Sequence, residues 1–194
     1  MLDVDGVLVI NPDGRPWNWN SQADLGLDPA LLQSRFFTPH WADVVTGRAD
    51  LHERLAPVLA EIAPHLTSGQ VADYWFAHDA TVDQVLLDDL AEIRQTGLAL
   101  HLATVQEHHR AQYLWETMGF EHRFDAMHWS ADIGCAKPDP RFYVEIVART
   151  GFAPADLMLI DDRLANVEAA IAQGWRAALW DGSRRINALI NCTV

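Results

Sequence analysis

The stretch PRFYVEIVARTGFAPADLMLIDDRLANVEAAIAQGWRAALW, residues 140–180, decides the fold. Its apolar spacing predicts two amphipathic helices, and each helix precedes a short apolar run that predicts a buried strand. Glycine follows both helices, at Gly151 and Gly174, where a left-handed backbone commonly ends a helix. The predicted elements are, in order, 140–150, 157–160, 163–173 and 175–180. Helices and strands joined by such short links favour a parallel sheet.

The same pattern occurs earlier in the chain. Two more predicted helices end at Gly97 and Gly119, and each precedes another apolar run. These helices and strands are predicted at 82–96, 98–103, 107–118 and 124–129. We therefore predict an α/β fold, with a Rossmann-like parallel sheet core and helices on both faces. Ligands of such sheets bind beyond the carboxyl ends of the strands, so we expect the site there.

Residues 13–80 break this pattern. They contain turn residues followed by four helix-like segments and no convincing strand. The segments are 29–37, 39–45, 51–65 and 71–78. We predict that residues 13–80 form a small α-helical cap domain inserted after the first strand. The α/β core then consists of residues 1–12 and 81–194.

Composition limits the partners of the protein. The chain has 194 residues and a net charge of −13, with 49% hydrophobic residues and no basic cluster. Such acidity argues against nucleic acid or an anionic membrane surface as the main partner. Cys135 and Cys192 are too few for a disulfide framework, and no stretch approaches the roughly 20 apolar residues that span a bilayer. We expect a cytoplasmic protein that acts on a small molecule, with its oligomeric state left open.

The chain begins with MLDVDGVLVI, in which Asp3 and Asp5 interrupt an apolar run. Side chains alternate along a strand, so a strand here would place both acids on the same side. Two carboxylates about 5 Å apart repel by roughly 3 kcal/mol at an effective dielectric of about 20. Asp161 and Asp162 follow the predicted strand at 157–160. Acids gathered at one sheet edge need protons or a cation, and carboxylate oxygens favour a hard ion such as Mg²⁺.

Other polar residues also follow predicted strands. Thr104 ends the strand at 98–103, and Val105 opens the next helix, whose free N–H groups favour an anion. Lys137 lies in the loop CAKPDP, and Asn166 lies one turn into the last predicted helix, 163–173. An anionic substrate in an acidic protein needs a local cation, which Lys137 or a metal ion could supply.

Together these motifs resemble those of the haloacid dehalogenase superfamily, in its phosphatase branch with a helical cap. The motifs are, in chain order, Asp3-Val4-Asp5-Gly6-Val7, then Thr104, then Lys137 in AKPDP, and then Asp161-Asp162. Each motif alone is weak, but the order and spacing of all four are specific. The resemblance implies a Mg²⁺-dependent phosphatase that hydrolyses a small phosphorylated metabolite through an aspartyl-phosphate intermediate.

The resemblance also implies a role for each acid. Asp3 would attack phosphorus, and Asp5 would protonate the leaving alcohol and then deprotonate the attacking water. Mg²⁺ would bind a carboxylate oxygen of Asp3, the backbone carbonyl of Asp5 and a carboxylate oxygen of Asp161. Asp162 and Asn166 would surround these ligands, with Asp162 acting through water.

The phosphoryl group is expected to contact a different set of residues. Thr104, the backbone amide of Val105 and Lys137 would hold its oxygens and spread their charge. Gly6 would let the chain turn after the first strand. Asparagine often stands in the family where this chain has Val105, a change that keeps the backbone amide and is expected to alter substrate contacts.

Three alternatives share part of this pattern. A haloacid dehalogenase would use Asp3 without a metal, and it needs neither Asp5 nor Asp161. A phosphomutase would transfer the phosphoryl group within its substrate instead of releasing phosphate. Only Met1 and Leu2 precede Asp3, so we expect a short first strand, and a misplaced Asp3 would leave a catalytically impaired binding protein.

Overall fold

The computed structural model describes residues 1–183 and 185–192, with side chains for residues 1–183 and 185–190. Residues 184, 193 and 194 of the predicted core lie outside the described residues. The strands are β1 (His101–Thr104), β2 (Ala126–Trp129), β3 (Met158–Asp161) and β4 (Arg176–Leu179). The α-helices are α1 (Ser21–Leu25), α2 (Pro29–Leu32), α3 (Thr38–Val44), α4 (Leu51–Ile62), α5 (Ser68–His78), α6 (Gln84–Arg94), α7 (His108–Gln112), α8 (Ser130–Ile133), α9 (Pro140–Thr150), α10 (Leu164–Ala172) and α11 (Ile186–Cys192). None of these helices is both long enough and apolar enough to cross a membrane.

Leu2 joins two pairs of strands into one parallel sheet. β1 pairs with β2, and β3 pairs with β4, both in parallel. Leu2 forms parallel bridges to Leu102 of β1 and to Ile160 of β3. Its N–H donates to the carbonyl of His101 at 2.9 Å, and its carbonyl accepts from the N–H of Ala103 at 2.8 Å. The resulting strand order, β4-β3-Leu2-β1-β2, confirms the predicted α/β fold.

Helices cover both faces of this sheet. Leu102 of β1 lies in one hydrophobic cluster together with Leu90 of α6. The next residue of the strand, Ala103, lies in another cluster together with Ile146 of α9. Successive strand residues face opposite sides of a sheet. The helices α6 and α9 therefore pack on opposite faces, as the alternation of helix and strand predicts.

The first strand ends earlier than predicted. After Asp3 the chain turns, and two backbone hydrogen bonds close the turn. The N–H of Val9 donates to the carbonyl of Val4, and the N–H of Gly6 donates to the carbonyl of Val9, both at 2.8 Å. The φ angle of Gly6 is +81°, a left-handed backbone that glycine adopts at little cost. Asp5 thus lies in a turn, and the predicted strand that placed both acids on one face is wrong.

Two predicted helical regions contain π-helical turns. The region 107–118 is formed by α7 followed by a π-helical turn at Tyr113–Thr117. The two helices predicted at 29–37 and 39–45 form one continuous run, because a π-helical turn at Gln33–Phe37 joins α2 to α3. A π-helical turn inserts an extra residue, so it shifts the apolar spacing on which the prediction depends.

Helices α1–α5 form a segment with a hydrophobic cluster of its own. Leu32, Leu55 and Val71 are buried within this cluster. Trp17 packs at its edge and stacks on Trp75, with ring centroids 5.3 Å apart. The segment therefore has the internal packing that a cap domain requires, and its boundaries at 13–80 stay a prediction.

Candidate active site

Three aspartates converge at the carboxyl end of the central strands. Asp3 follows the bridged residue Leu2, Asp161 is the last residue of β3, and Asp162 follows it. One carboxylate oxygen of each acid lies within 4.8 Å of the others. Asp3 and Asp161 are buried, whereas Asp162 is exposed. Within residues 1–183 and 185–190, this is the one group of three or more side chains found with the spacing of metal ligands.

Lys137 lies between two of these acids. Its Nζ is 2.9 Å from Asp3 Oδ2 and 2.5 Å from Asp161 Oδ2, and it donates to the carbonyl of Ala103 at 2.8 Å. The side chain of Lys137 is completely buried, and Lys137 is the only lysine in the sequence. The predicted motif lysine therefore contacts the predicted nucleophile directly.

Asp161 is held in place by the helix that follows it. Its Oδ1 accepts from Asn166 Nδ2 and from the N–H of Arg163, both at 2.9 Å. The carbonyl of Asn166 in turn accepts from the hydroxyl of Tyr143 at 2.9 Å. Outer contacts of this kind orient metal-binding carboxylates in proteins. Asn166 therefore lies where a supporting residue was predicted.

The electrostatics of Asp3 are dominated by burial. Its Oδ1 accepts from the N–H of Val4 at 2.8 Å. Burial raises the pKa of Asp3 from 3.8 to about 7; Lys137 lowers this pKa and the neighbouring Asp161 raises it. Because burial disfavours the ionised form of Asp3, a nearby cation would stabilise that form.

The residues present fit Mg²⁺. Asp3, Asp161 and Asp162 supply three carboxylate oxygens, the hard ligands that this ion prefers. Lys137 is the one lysine available to offset their charge, and it contacts two of the three. The set therefore carries excess negative charge that a divalent cation would neutralise.

Asp5 contacts a residue that the sequence analysis did not select. Its Oδ2 accepts from Gln106 Nε2 at 2.8 Å, and Gln106 is buried. Asp5 keeps an exposed surface, yet the protein atoms around its carboxylate raise its pKa. The negative charge of Asp79 also raises this pKa, and the charge of Arg110 lowers it. Gln106 follows the second motif closely in sequence, which is the signal that could have identified it.

The predicted anion-binding helix begins later than expected. α7 begins at His108, so Val105 lies in the loop before the helix. The carboxylate of Glu107 accepts from the N–H groups of His109 and Arg110 and thus occupies the helix N-terminus. The expectation that Val105 opens this helix is wrong, because Glu107 provides the cap three residues after Thr104. Any phosphate contact at Val105 would use a loop amide.

Thr104 ends β1 and is completely buried. Its Oγ1 lies 3.4 Å from Gln106 Nε2. The same amide nitrogen therefore reaches both Thr104 and Asp5, which links the predicted phosphate-binding residue to the predicted acid.

Gly6 allows the turn after Asp3 to pack against Asp162. A Cβ atom at this position would overlap Asp162 Oδ2 and Cγ. Since Gly6 also has a positive φ, both the backbone conformation and the space exclude larger residues. The turn after Asp3 thus fits closely around the carboxylate of Asp162.

The helical segment contacts the two short helices, α7 and α8, that follow β1 and β2. Ser130 Oγ donates to the carbonyl of Val45 at 2.6 Å. The buried side chain of Arg110 donates from Nη1 to the carbonyl of Phe76 at 3.1 Å and from Nη2 to the carbonyl of Asp79. These contacts join the segment, just after α3 and at the end of α5, to helices α8 and α7.

Comparison with known families identifies the class of protein. A family model of haloacid dehalogenase-like hydrolases matches residues 1–174. This chain therefore belongs to the haloacid dehalogenase-like hydrolases, as the resemblance of its motifs indicated.

Solved structures share its fold. A haloacid dehalogenase family enzyme from Bacteroides thetaiotaomicron, in complex with magnesium and inorganic phosphate, superposes with a TM-score of 0.79 at 16% identity, covering 97% of this chain and 96% of that one. A predicted haloacid dehalogenase-like hydrolase from Porphyromonas gingivalis gives a TM-score of 0.77 at 23% identity, covering 98% and 95%. An L-2-haloacid dehalogenase from Xanthobacter autotrophicus gives 0.64 at 20% identity, covering 98% and 81%.

One curated relative matches a short part of the chain. Flavin mononucleotide hydrolase 1 of Arabidopsis thaliana, described as chloroplastic, is 51% identical over 41 residues. The match spans 21% of this chain and 17% of the relative's length.

Proposed function

We propose that this hydrolase is a Mg²⁺-dependent phosphatase that cleaves a small phosphorylated metabolite through an aspartyl-phosphate on Asp3. The observation that carries the proposal is the cluster of Asp3, Asp161 and Asp162 around the buried Lys137. A nucleophilic carboxylate, a cation site and a buried ammonium are the parts that phosphoryl transfer requires. The similar fold of an enzyme crystallised with magnesium and phosphate adds support.

In this proposal Asp3 and Asp161, with the backbone carbonyl of Asp5, would hold the ion, and Asp162 would act on it through water. When bound, Mg²⁺ supplies positive charge against the phosphoryl oxygens and the ionised acids. Lys137 supplies a further fixed positive charge, and Thr104 would donate to a phosphoryl oxygen, as would the backbone amide of Val105.

The chain's own residues perform the bond changes. A carboxylate oxygen of Asp3 attacks phosphorus, and the bond from phosphorus to the leaving oxygen breaks. The leaving oxygen keeps that electron pair and takes the proton of Asp5. Asp5 then accepts a proton from the water that attacks phosphorus, the bond to Asp3 breaks, and inorganic phosphate leaves.

The substrate is proposed from chemistry and from similarity. The Arabidopsis relative is a flavin mononucleotide hydrolase, so flavin mononucleotide is the first substrate to test, followed by sugar phosphates and phosphorylated short acids. We propose that residues 13–80 act as the cap that selects among them, and that the enzyme works in the cytoplasm. A dehalogenase function is less favoured, because that reaction uses neither Asp5 nor Asp161.

A phosphate-release assay tests the proposal. The wild-type protein should release inorganic phosphate from p-nitrophenyl phosphate with Mg²⁺ and should stop when the metal is chelated. Asp3→Asn should be inactive, whereas Asp13→Asn, which changes an exposed acid of the same N-terminal region, should match the wild type. Phosphate transfer within a sugar phosphate without release would indicate a phosphomutase. Absence of metal-dependent release from the whole substrate panel would contradict the proposal.

A further inference from the structure

Gln106 is held rigidly beside Asp5. It is only 3% exposed, and its backbone carbonyl accepts from the N–H of Ala131 at 3.2 Å. The same carbonyl lies 3.0 Å from Ser130 Oγ, whose one proton is shared with the carbonyl of Val45. The side-chain nitrogen of Gln106 reaches Asp5 Oδ2 at 2.8 Å and Thr104 Oγ1 at 3.4 Å. The backbone of Gln106 is therefore fixed by the first residues of α8, and its amide is aimed at Asp5.

The chemistry of this contact distinguishes the two oxygens of Asp5. An amide NH₂ group has donors and no acceptor, so Asp5 Oδ2 must accept in this contact. A proton on Oδ2 would point at a donor, and therefore the proton of a neutral Asp5 belongs on Oδ1. The contact also holds the carboxyl plane against rotation, because the donor comes from a buried side chain.

We propose that Gln106 is a positioning residue that fixes the carboxyl group of Asp5 so that Oδ1 delivers the proton to the leaving oxygen. This inference rests on the proposed phosphatase function. In the step it serves, the bond from phosphorus to the leaving oxygen breaks, that oxygen keeps the electron pair, and the proton moves to it from Asp5 Oδ1. Because Gln106 also contacts Thr104, the orientation of Asp5 is linked to a residue proposed to hold the phosphoryl group.

The test compares substrates that differ in their need for a proton. The leaving group of p-nitrophenyl phosphate is stable as an anion, whereas an alkyl phosphate such as flavin mononucleotide or glycerol phosphate releases an alkoxide that must be protonated. General acid catalysis contributes roughly 10²–10⁴-fold. The same aspartyl-phosphate forms from both substrates, so the comparison uses kcat/KM, which reports the step in which the leaving group departs. Gln106→Leu should therefore lower kcat/KM for the alkyl phosphate roughly tenfold more than kcat/KM for the aryl phosphate.

Three further variants complete the experiment. Gln106→Met, a second uncharged replacement of similar length, should give the same substrate-dependent loss and serves if Gln106→Leu folds poorly. Asp5→Asn should show the same dependence on the leaving group, but more strongly. Gln112→Leu removes an exposed glutamine that contacts Glu116 at 3.0 Å, and it should leave both rates unchanged.

The outcomes distinguish a failure of this inference from a failure of the proposed phosphatase function. If wild-type protein hydrolyses both substrates and the Gln106 variants lower kcat/KM by the same factor for both, or lower neither, the positioning role is wrong while the phosphatase function stands. If wild-type protein releases phosphate from neither substrate, the proposed function fails and this inference fails with it.

Discussion

Lys137 Nζ lies 2.9 Å from Asp3 Oδ2, inside a site where the lysine side chain has no contact with solvent. The ammonium group also lies 2.5 Å from Asp161 Oδ2. It therefore neutralises part of the charge on the proposed nucleophile and on a proposed metal ligand at once. Because this is the only lysine in the sequence, its replacement removes one defined charge from the site.

Replacing Lys137 by methionine should abolish most of the activity. The variant keeps an unbranched stem but lacks the ammonium group, so it leaves Asp3 and Asp161 without their shared donor. Loss of one fixed charge at a phosphoryl group is expected to lower kcat by about 10²–10³-fold, measured by phosphate release at saturating Mg²⁺. Lys137→Arg keeps the charge and should retain more activity than Lys137→Met. Wild-type kcat in the methionine variant would contradict the role given to Lys137.

Replacing Gly6 by alanine should damage the metal site as well as the fold. The left-handed backbone of Gly6 costs an alanine about 1–2 kcal/mol, and the new Cβ would overlap the carboxylate of Asp162. Gly151→Ala is the matched control, since Gly151 has a φ of +71° and nothing within 4 Å of an added Cβ. Urea unfolding should show a larger loss for Gly6→Ala, and calorimetry should show weakened Mg²⁺ binding in that variant alone. Equal effects of the two substitutions would rule out the contact with Asp162.

The pKa of Asp3 predicts how stability changes with pH in metal-free protein. The folded-state pKa is about 7 against 3.8 for the free side chain, so between these values the folded protein holds a proton that the unfolded chain has released. The contribution of Asp3 to stability is therefore present below pH 4 and is lost as pH rises towards 7. Asp3→Asn has no such proton. With metal chelated, the stability of Asp3→Asn relative to wild type should increase from pH 4 to pH 7 and then level off. A difference that stays constant over this range would contradict the raised pKa.

Removing Arg110 should loosen the contact between core and helical segment. Its buried guanidinium donates to the carbonyls of Phe76 and Asp79 and lies 3.7 Å from Asp79 Oδ2. Arg110→Leu leaves these acceptors without their donor and is expected to reduce the free energy of unfolding by about 3–5 kcal/mol. Arg48→Leu, which removes an exposed arginine paired with Asp43, is expected to cost less than about 1 kcal/mol. Similar losses in both variants, measured by urea unfolding, would show that the buried contact is unimportant.

Local sequence signals predicted much of the fold. Gly97, Gly119, Gly151 and Gly174 were predicted to follow helices, and their φ angles are +87°, +72°, +71° and +82°. Each of these helix ends depends on the backbone freedom of a single glycine, so it can be predicted from the local sequence. The convergence of the motifs could also be predicted, because each motif follows a strand and parallel strands bring their carboxyl ends to one edge of the sheet.

The parts that escaped prediction depend on contacts between distant residues. The motif predicted a turn at Gly6, but not the close fit of this turn against Asp162. The turn also removes Asp5 from the strand that local hydrophobicity indicated. The contact between Asp5 and Gln106 joins residues 101 positions apart. The position of Gln106 just after Thr104 could have marked it as a site residue, but no local signal pairs it with Asp5. Glu107 caps α7, so the helix begins at His108 and not at Val105 as predicted.

The most direct test of the central claim is chemical trapping of the phosphorylated residue. Protein turning over an alkyl phosphate with Mg²⁺ is quenched and treated with borohydride, which reduces an aspartyl-phosphate to homoserine, and the N-terminal peptide is sequenced by mass spectrometry. We predict homoserine at Asp3, dependent on both substrate and Mg²⁺ and absent from Asp3→Asn. Release of phosphate at the normal rate with aspartate intact at Asp3, or with homoserine at another position, would contradict the account.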